Sequence, residues 1–232
     1  MTDIELGVVD QTRPTVLFEN LLQDGTLTAD SEADSFPVGY MSDYETGYGW
    51  KPAVDTLATA TLVLGGAAVV NAFFVTSHNL ASNGATLELE YYNGASWVSV
   101  YEITPTDNSD IMYLFNDITA DQWRISQVGG ASFIGVAFLG SRLVFPSGIA
   151  QNYSSIPHAK VVEVQGGQTI SGQFVNQSVM RYGFRTSATF PLIDSEWVDS
   201  DMSDFEAHYN DGLPFVWAAA PKQFPDDCGD CW

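Results

Sequence analysis

The sequence predicts an all-β chain: an N-terminal β-sandwich followed by a smaller C-terminal β-rich domain with about one helix. Three observations carry this. Short runs of β-branched and aromatic residues recur at roughly 8–12-residue spacing with turn residues between them, the pattern of a sandwich or barrel. Helical periodicity is close to absent before Phe145. Pro146, Ser147 and Gly148 then interrupt the strand pattern and mark a boundary. The expected organisation is an N-terminal arm over 1–16, a sandwich over 17–146 and a C-terminal domain over 147–232.

The elements follow in order. Thr61–Leu64 and Val69–Thr76 are strand-like runs separated by Gly65-Gly66. Thr86 to Tyr92 alternates apolar and polar residues, Asn93-Gly94 follows, and a second run spans Ser96 to Ile103. Two such runs around Asn-Gly predict a hairpin, because both residues tolerate positive φ; Ala95 and Ser96 lengthen its loop beyond two residues. Further strands are predicted at Met112–Phe115, Gln122–Gln127, Phe133–Leu139 and Leu143–Phe145. Past the boundary, Ala159–Gln165, a Gly166-Gly167 turn, Ile170–Phe174 and Arg181–Phe190 are strand-like. One helix is predicted from Asp194-Ser195-Glu196, with Trp197, Met202, Phe205 and Tyr209 as its apolar face. Asp211-Gly212 stops it, and Leu213–Trp217 closes the chain as a strand.

Charge excludes several functions. Eight basic residues face twenty-nine acidic ones, a net charge of -21. Nucleic-acid binding needs cations to displace phosphate counterions, and anionic lipid needs them too, so neither is an expected partner. The surplus fits plain solubility or a saline source; it also fits a surface that must not stick to DNA or anionic cell material. No run approaches the roughly 20 apolar residues that cross a bilayer; the longest, Thr61 to Val75, is broken by Gly65, Gly66 and Asn71. The start, MTDIELGVVD, lacks a basic region followed by an apolar one, so synthesis in a cytosol without Sec export is expected.

From Leu17 to Pro146 the order of features resembles the galactose-binding-like (discoidin-type) jelly-roll sandwich. The matching pieces are Asn20-Leu21-Leu22, the long polar loop ending in Gly49-Trp50-Lys51-Pro52, the Asn-Gly hairpin, Trp123-Arg124-Ile125-Ser126 and Ile134 to Gly140. The family implies that the last two are core strands and that ligand loops cluster at one end. A second likeness runs through Ser77-His78-Asn79-Leu80, the Leu139-to-Pro146 exit, and the closing segment Gly212 to Trp217. It resembles virion proteins of bacteriophage tails and baseplates. That resemblance implies a non-enzymatic structural subunit at the tail tip, baseplate or neck, made in the host cytoplasm and assembled in the virion. It also implies a homo-oligomeric ring contacting other tail proteins and host glycan. The alternative is a stand-alone carbohydrate-binding module or lectin.

Candidate chemistry is thin. His78 and Asn79 have no Ser, Cys or second His at a spacing that makes a catalytic set, so a turn that plugs a strand end is the competing reading. Tyr40, Tyr44, Tyr48 and Trp50 offer ring faces to a sugar, or else pack on the sandwich edge or a neighbouring subunit. Asp43 and Glu45 lie in an acidic loop of hard oxygen donors that suits Ca²⁺ or simply solvent. Cys228 and Cys231 form a C-x-x-C pair, half of a zinc site or an ordinary tail with two thiols. A glycosidase acid pair has no marked position among the acids.

Overall fold

The computed structural model describes residues 3–6, 12–150, 153–168, 170–225 and 227–231. The strands before the boundary are β1 (Asp3–Leu6), β2 (Thr15–Leu17), β3 (Thr26–Ala29), β4 (Ala58–His78), β5 (Thr86–Tyr92), β6 (Trp97–Ile103), β7 (Ile111–Val128), β8 (Ile134–Gly140) and β9 (Arg142–Val144). Beyond it come β10 (Lys160–Gln168), β11 (Phe174–Phe184), β12 (Phe215–Ala218) and β13 (Cys228–Cys231). The short helices are α1 (Leu21–Asp24), α2 (Leu80–Asn83), α3 (Ser195–Ser200) and α4 (Ser203–Asn210).

Two long strands build the sandwich. Ala58–Val63 of β4 pairs with Gln122–Gln127 of β7; after register shifts at Val63/Ala68 and Val70/Ala72, Ala72–Val75 pairs with Ile111–Leu114. The early half of β4 and the late half of β7 join β3, β5 and β6 in a five-stranded layer. Their other halves join β8 and, in parallel, β1. Ala60, Leu62, Leu89 and Trp123 of the first layer share one core cluster with Phe73, Val75, Ile111 and Leu139 of the second. The sheet therefore folds over on itself, and the two layers face each other. Gly65-Gly66, expected to separate two strands, instead lies inside one strand where it bends, a common place for glycine in a strand.

The second layer is covered on its outer face as well. β9, β2, β12 and β13 form a four-stranded sheet in that order, so strands from both sides of residue 146 share it. Leu17, Val216 and Ala218 point from this sheet onto Phe74, Met112 and Phe138 of the second layer. Alternation sends Val16, Trp217 and Ala219 the other way, into a third cluster with Phe145 and Phe205. Trp197 and Met202 close that cluster. The architecture is thus three β layers with a helical cap. Within the cap, Trp217 Nε1 donates to Tyr153 Oη at 3.1 Å, and Tyr153 donates to Asp227 at 3.0 Å.

The helix predicted near 194–210 is split into α3 and α4. Asp194 caps it by accepting from Glu196 N at 3.0 Å, but Trp197 O takes both Asp201 N and Met202 N, which ends the first helix. Ile170–Phe174, predicted as a strand, is mostly the turn between β10 and β11, and β11 stops at Phe184 rather than running on to Phe190.

Candidate functional site

Four connections meet at one end of the sandwich: the long loop between β3 and β4, the turn from His78 to Gly84, the loop 104–110 and the loop 129–133. Side chains tie them together. Asn79 Oδ1 accepts from Phe133 N at 2.7 Å, and Asn108 Nδ2 donates to Ser82 Oγ at 2.6 Å. Asp55 accepts from Ala131 N at 3.1 Å, and Ser77 Oγ donates to Thr46 O at 3.0 Å. The end is therefore a fixed platform of cross-linked loops.

On the long loop, a 3₁₀ turn over Val38–Ser42 presents Tyr40. Residues three apart eclipse in such a turn, so Val38 and Met41 both face the core while Tyr40 faces out. The turn is capped by Glu32, which accepts from Val38 N at 2.8 Å. Tyr48 follows a turn closed by Tyr48 N donating to Glu45 O at 3.0 Å. The two rings meet edge to face with centroids 5.6 Å apart, and they stay 38% and 55% exposed. Beside them Gly49 and Trp50 dock on β8. Trp50 N donates to Ile134 O and Ile134 N to Trp50 O, both at 2.9 Å. A Cβ on Gly49 would run into Ile134 O, so glycine is required for that close approach.

The other predicted site residues are structural. Trp50 is 0% exposed with its Nε1 donating to Ser31 O at 3.0 Å, so no sugar ring can reach its face. Tyr44 turns back at φ 64° and packs on the cluster between the second layer and β12. Burial pushes its phenol up to about 12, against a lowering hydrogen bond from Asn20. His78 is buried; its Nδ1 accepts from Leu80 N at 3.4 Å, which leaves Nε2 to donate to Ser109 O at 2.8 Å. With both ring nitrogens used and Asn79 pinning Phe133, this pair is the strand-end turn and not a catalytic set.

The metal candidates do not converge. Asp43 Oδ1 accepts from Glu45 N at 3.0 Å, holding a loop turn, and no group of three His, Cys, Asp or Glu side chains gathers among the described residues. Cys228 and Cys231 lie in one strand three residues apart, which places them on opposite faces. Cys228 joins the cluster against the second layer and Cys231 the helix-capped cluster, so one metal ion cannot take both.

Sequence reasoning did not connect the loop 104–110 to this end. Its signal was the turn-forming run Asp107-Asn108-Ser109-Asp110. Ser109 donates to Asp107 from its hydroxyl and its backbone N–H, and holds that carboxyl below the ordinary value. Asp34, Asp43, Glu45, Asp55 and Asp107 make the platform acidic, with Lys51 the cation on the long loop.

No protein-family model and no curated protein sequence matches the chain. Solved structures do. A carbohydrate-binding module of family 32 from Clostridium perfringens, solved with GalNAc-β-1,3-galactose, is 18% identical with a TM-score of 0.46, over 53% of this chain and 100% of its own. The family 32 module of Clostridium perfringens NanJ, solved with galactose, is 19% identical with a TM-score of 0.46, over 56% of this chain and 99% of its own. A chitosan-binding module from Paenibacillus sp. IK-5 is 20% identical with a TM-score of 0.45, over 53% of this chain and 99% of its own. Portions of glycosidases are similar too, such as 27% of a Ruminococcus gnavus fucosidase chain at 16% identity. Each of these proteins is named for carbohydrate binding or for fucoside cleavage, and none of the names is that of a tail or baseplate protein.

Proposed function

We propose that the chain is a carbohydrate-binding module that holds a saccharide on the Tyr40–Tyr48 platform without acting on it. The observation that carries this reading is the exposed ring pair itself. Two aromatic rings are left in water on a rigid, cross-linked loop end, where the apolar face of a sugar can stack and the phenol hydroxyls stay wet. The carboxylates carried by the same loops supply acceptors for sugar hydroxyls. They also set the class of ligand: a platform of one loop cation among many carboxylates, on a chain of net charge -21, repels sialylated or sulfated glycans. The ligand is an uncharged or amine-bearing saccharide.

The test is a panel of neutral, amine-bearing and anionic oligosaccharides, with Kd by calorimetry for those that bind. Tyr48→Ala is expected to weaken binding by roughly tenfold or more, about 1.4 kcal/mol. The melting temperature should stay put, because this ring packs on the surface alone. Binding confined to anionic glycans, or left unchanged in the Tyr40→Ala/Tyr48→Ala double variant, would remove the proposal. A structural subunit of a phage tail is the second reading, and it draws on a different feature: the projecting β10–β11 hairpin.

A further inference from the structure

β10 and β11 pair with each other along their whole length and, among the described residues, with no other strand. Every described side chain of β10 is exposed. Val161 stands on one face, and Val162 and Val164 on the other. Val179, the register partner of Val164, is 60% exposed, and Ile170 in the connecting turn is fully exposed. A two-stranded hairpin is marginal in water without something packed against it, and among the described residues no third strand extends either edge here. An apolar ribbon of this length projecting from a folded body is the mark of an interaction surface.

Charge indicates what covers it. The segment 160–185 holds three of the chain's eight basic residues, Lys160, Arg181 and Arg185, and a single acid, Glu163. The hairpin thus carries +2, and the remainder of a chain of net charge -21 carries -23. Glu163 pairs with Arg181 across the hairpin, so the segment's one acid is matched within it and its surplus charge is positive. Two bodies of this charge repel one another unless cations lie between them. The hairpin is a cationic, apolar segment in an otherwise acidic molecule, and every copy offers both the arm and the acidic body.

We infer that the β10–β11 hairpin is an assembly arm that docks on the body of a second copy of this chain. Its valines supply the buried contact, and the arm's net surplus of two positive charges supplies the charge match. An exchange in which each copy receives its neighbour's arm closes as a dimer or a ring. The arm is remote from the tyrosine platform in sequence and in sheet, so self-association and sugar binding are separable.

The experiment is the mass of the full chain by light scattering at about 100 μM, in low and in high salt. Wild type is expected at two or more times the 25.3 kDa protomer. Val164→Asp/Val179→Asp is expected to run as a monomer in both salts. Arg181→Glu/Arg185→Glu should dissociate at least tenfold more readily than wild type in low salt, and the difference should shrink in high salt. Near-ultraviolet circular dichroism confirms that each variant keeps its folded body. Three outcomes overturn the assignment: a wild-type monomer at this concentration, which hands the arm to a different partner; folded valine variants that keep the wild-type mass; or an arginine variant indistinguishable from wild type in low salt.

Discussion

β8, Ile-Gly-Val-Ala-Phe-Leu-Gly, and β10, which opens Lys-Val-Val-Glu-Val-Gln, both carry apolar residues on two faces, and their fates are opposite. Every residue of β8 is buried, and every described residue of β10 is exposed. The difference lies outside the strands. Leu139 and Ala137 of β8 face the sandwich core, and Phe138 between them is covered by Leu17 and Val216 of the third sheet. Nothing in the described chain does the same for β10. Apolar residues on both faces of a strand therefore report that it wants covering on two faces, not that its own chain provides both covers. β4 contains both situations in a single strand: Ala58–Leu62 alternates between buried and half-buried, whereas Ala72–Thr76 is buried throughout.

The strongest way to break the comparison is to empty the place where the covers meet. Phe138→Ala removes a fully buried ring between the second layer and the third sheet, and about 3–5 kcal/mol of stability should go with it. Chemical denaturation followed by tryptophan fluorescence measures this directly. A cost below about 1 kcal/mol would mean that the third sheet is not a true cover of β8.

That contact also shows what the sequence could not reveal. The Asn-Gly hairpin, the inward Trp123 and Ile125, and the apolar run of β8 were legible because each rests on alternation or turn chemistry within a few residues. The third sheet was not. β2 is three residues long, and its register partners Val144 and Val216 both lie more than a hundred residues further along the chain, a pairing no local pattern encodes. The aromatic loop was legible as composition, yet its roles were not. Tyr40 and Tyr48 face water, Trp50 is core and Tyr44 anchors the loop, and a 3₁₀ turn, a β-bridge and a positive φ make those choices. Asn20 is a further case. It matched a family pattern, but only the structure shows its amide donating to Ala137 O and accepting from Leu139 N, thereby fixing α1 to β8.

A smaller effect sharpens the comparison from the covering side. Tyr44 lies against the second layer and Tyr153 beside the helix-capped cluster, and burial is the main cause raising each phenol from 10.0 to about 12. The unfolded chain releases these protons near pH 10, while the folded chain keeps them until about pH 12. Stability is thus insensitive to these groups below pH 10 and falls as pH rises through that window. Replacing both by Phe should flatten the pH dependence of unfolding between pH 10 and 12 and leave it unchanged at neutral pH. An unaltered alkaline slope would mean that the phenols are solvated and that the covering layers sit more loosely than β8 requires.

The smallest expected effect is on the arm, and it is the most discriminating because it should be almost nothing. Val164→Thr keeps a β-branched side chain, so strand preference is retained while one apolar methyl becomes a hydroxyl. At protein concentrations low enough to hold the chain as a monomer, Val164 has no cover to lose, and the unfolding free energy should move by less than about 0.5 kcal/mol. At high concentration the same change should lower the melting temperature of wild-type-like assemblies, because stability there includes the association. The same polar substitution at Val75, fully buried in the sandwich, has no such dependence on concentration. A cost above about 1 kcal/mol for Val164→Thr in the monomer would mean that the arm folds back on its own body. β10 would then differ from β8 in degree and not in kind.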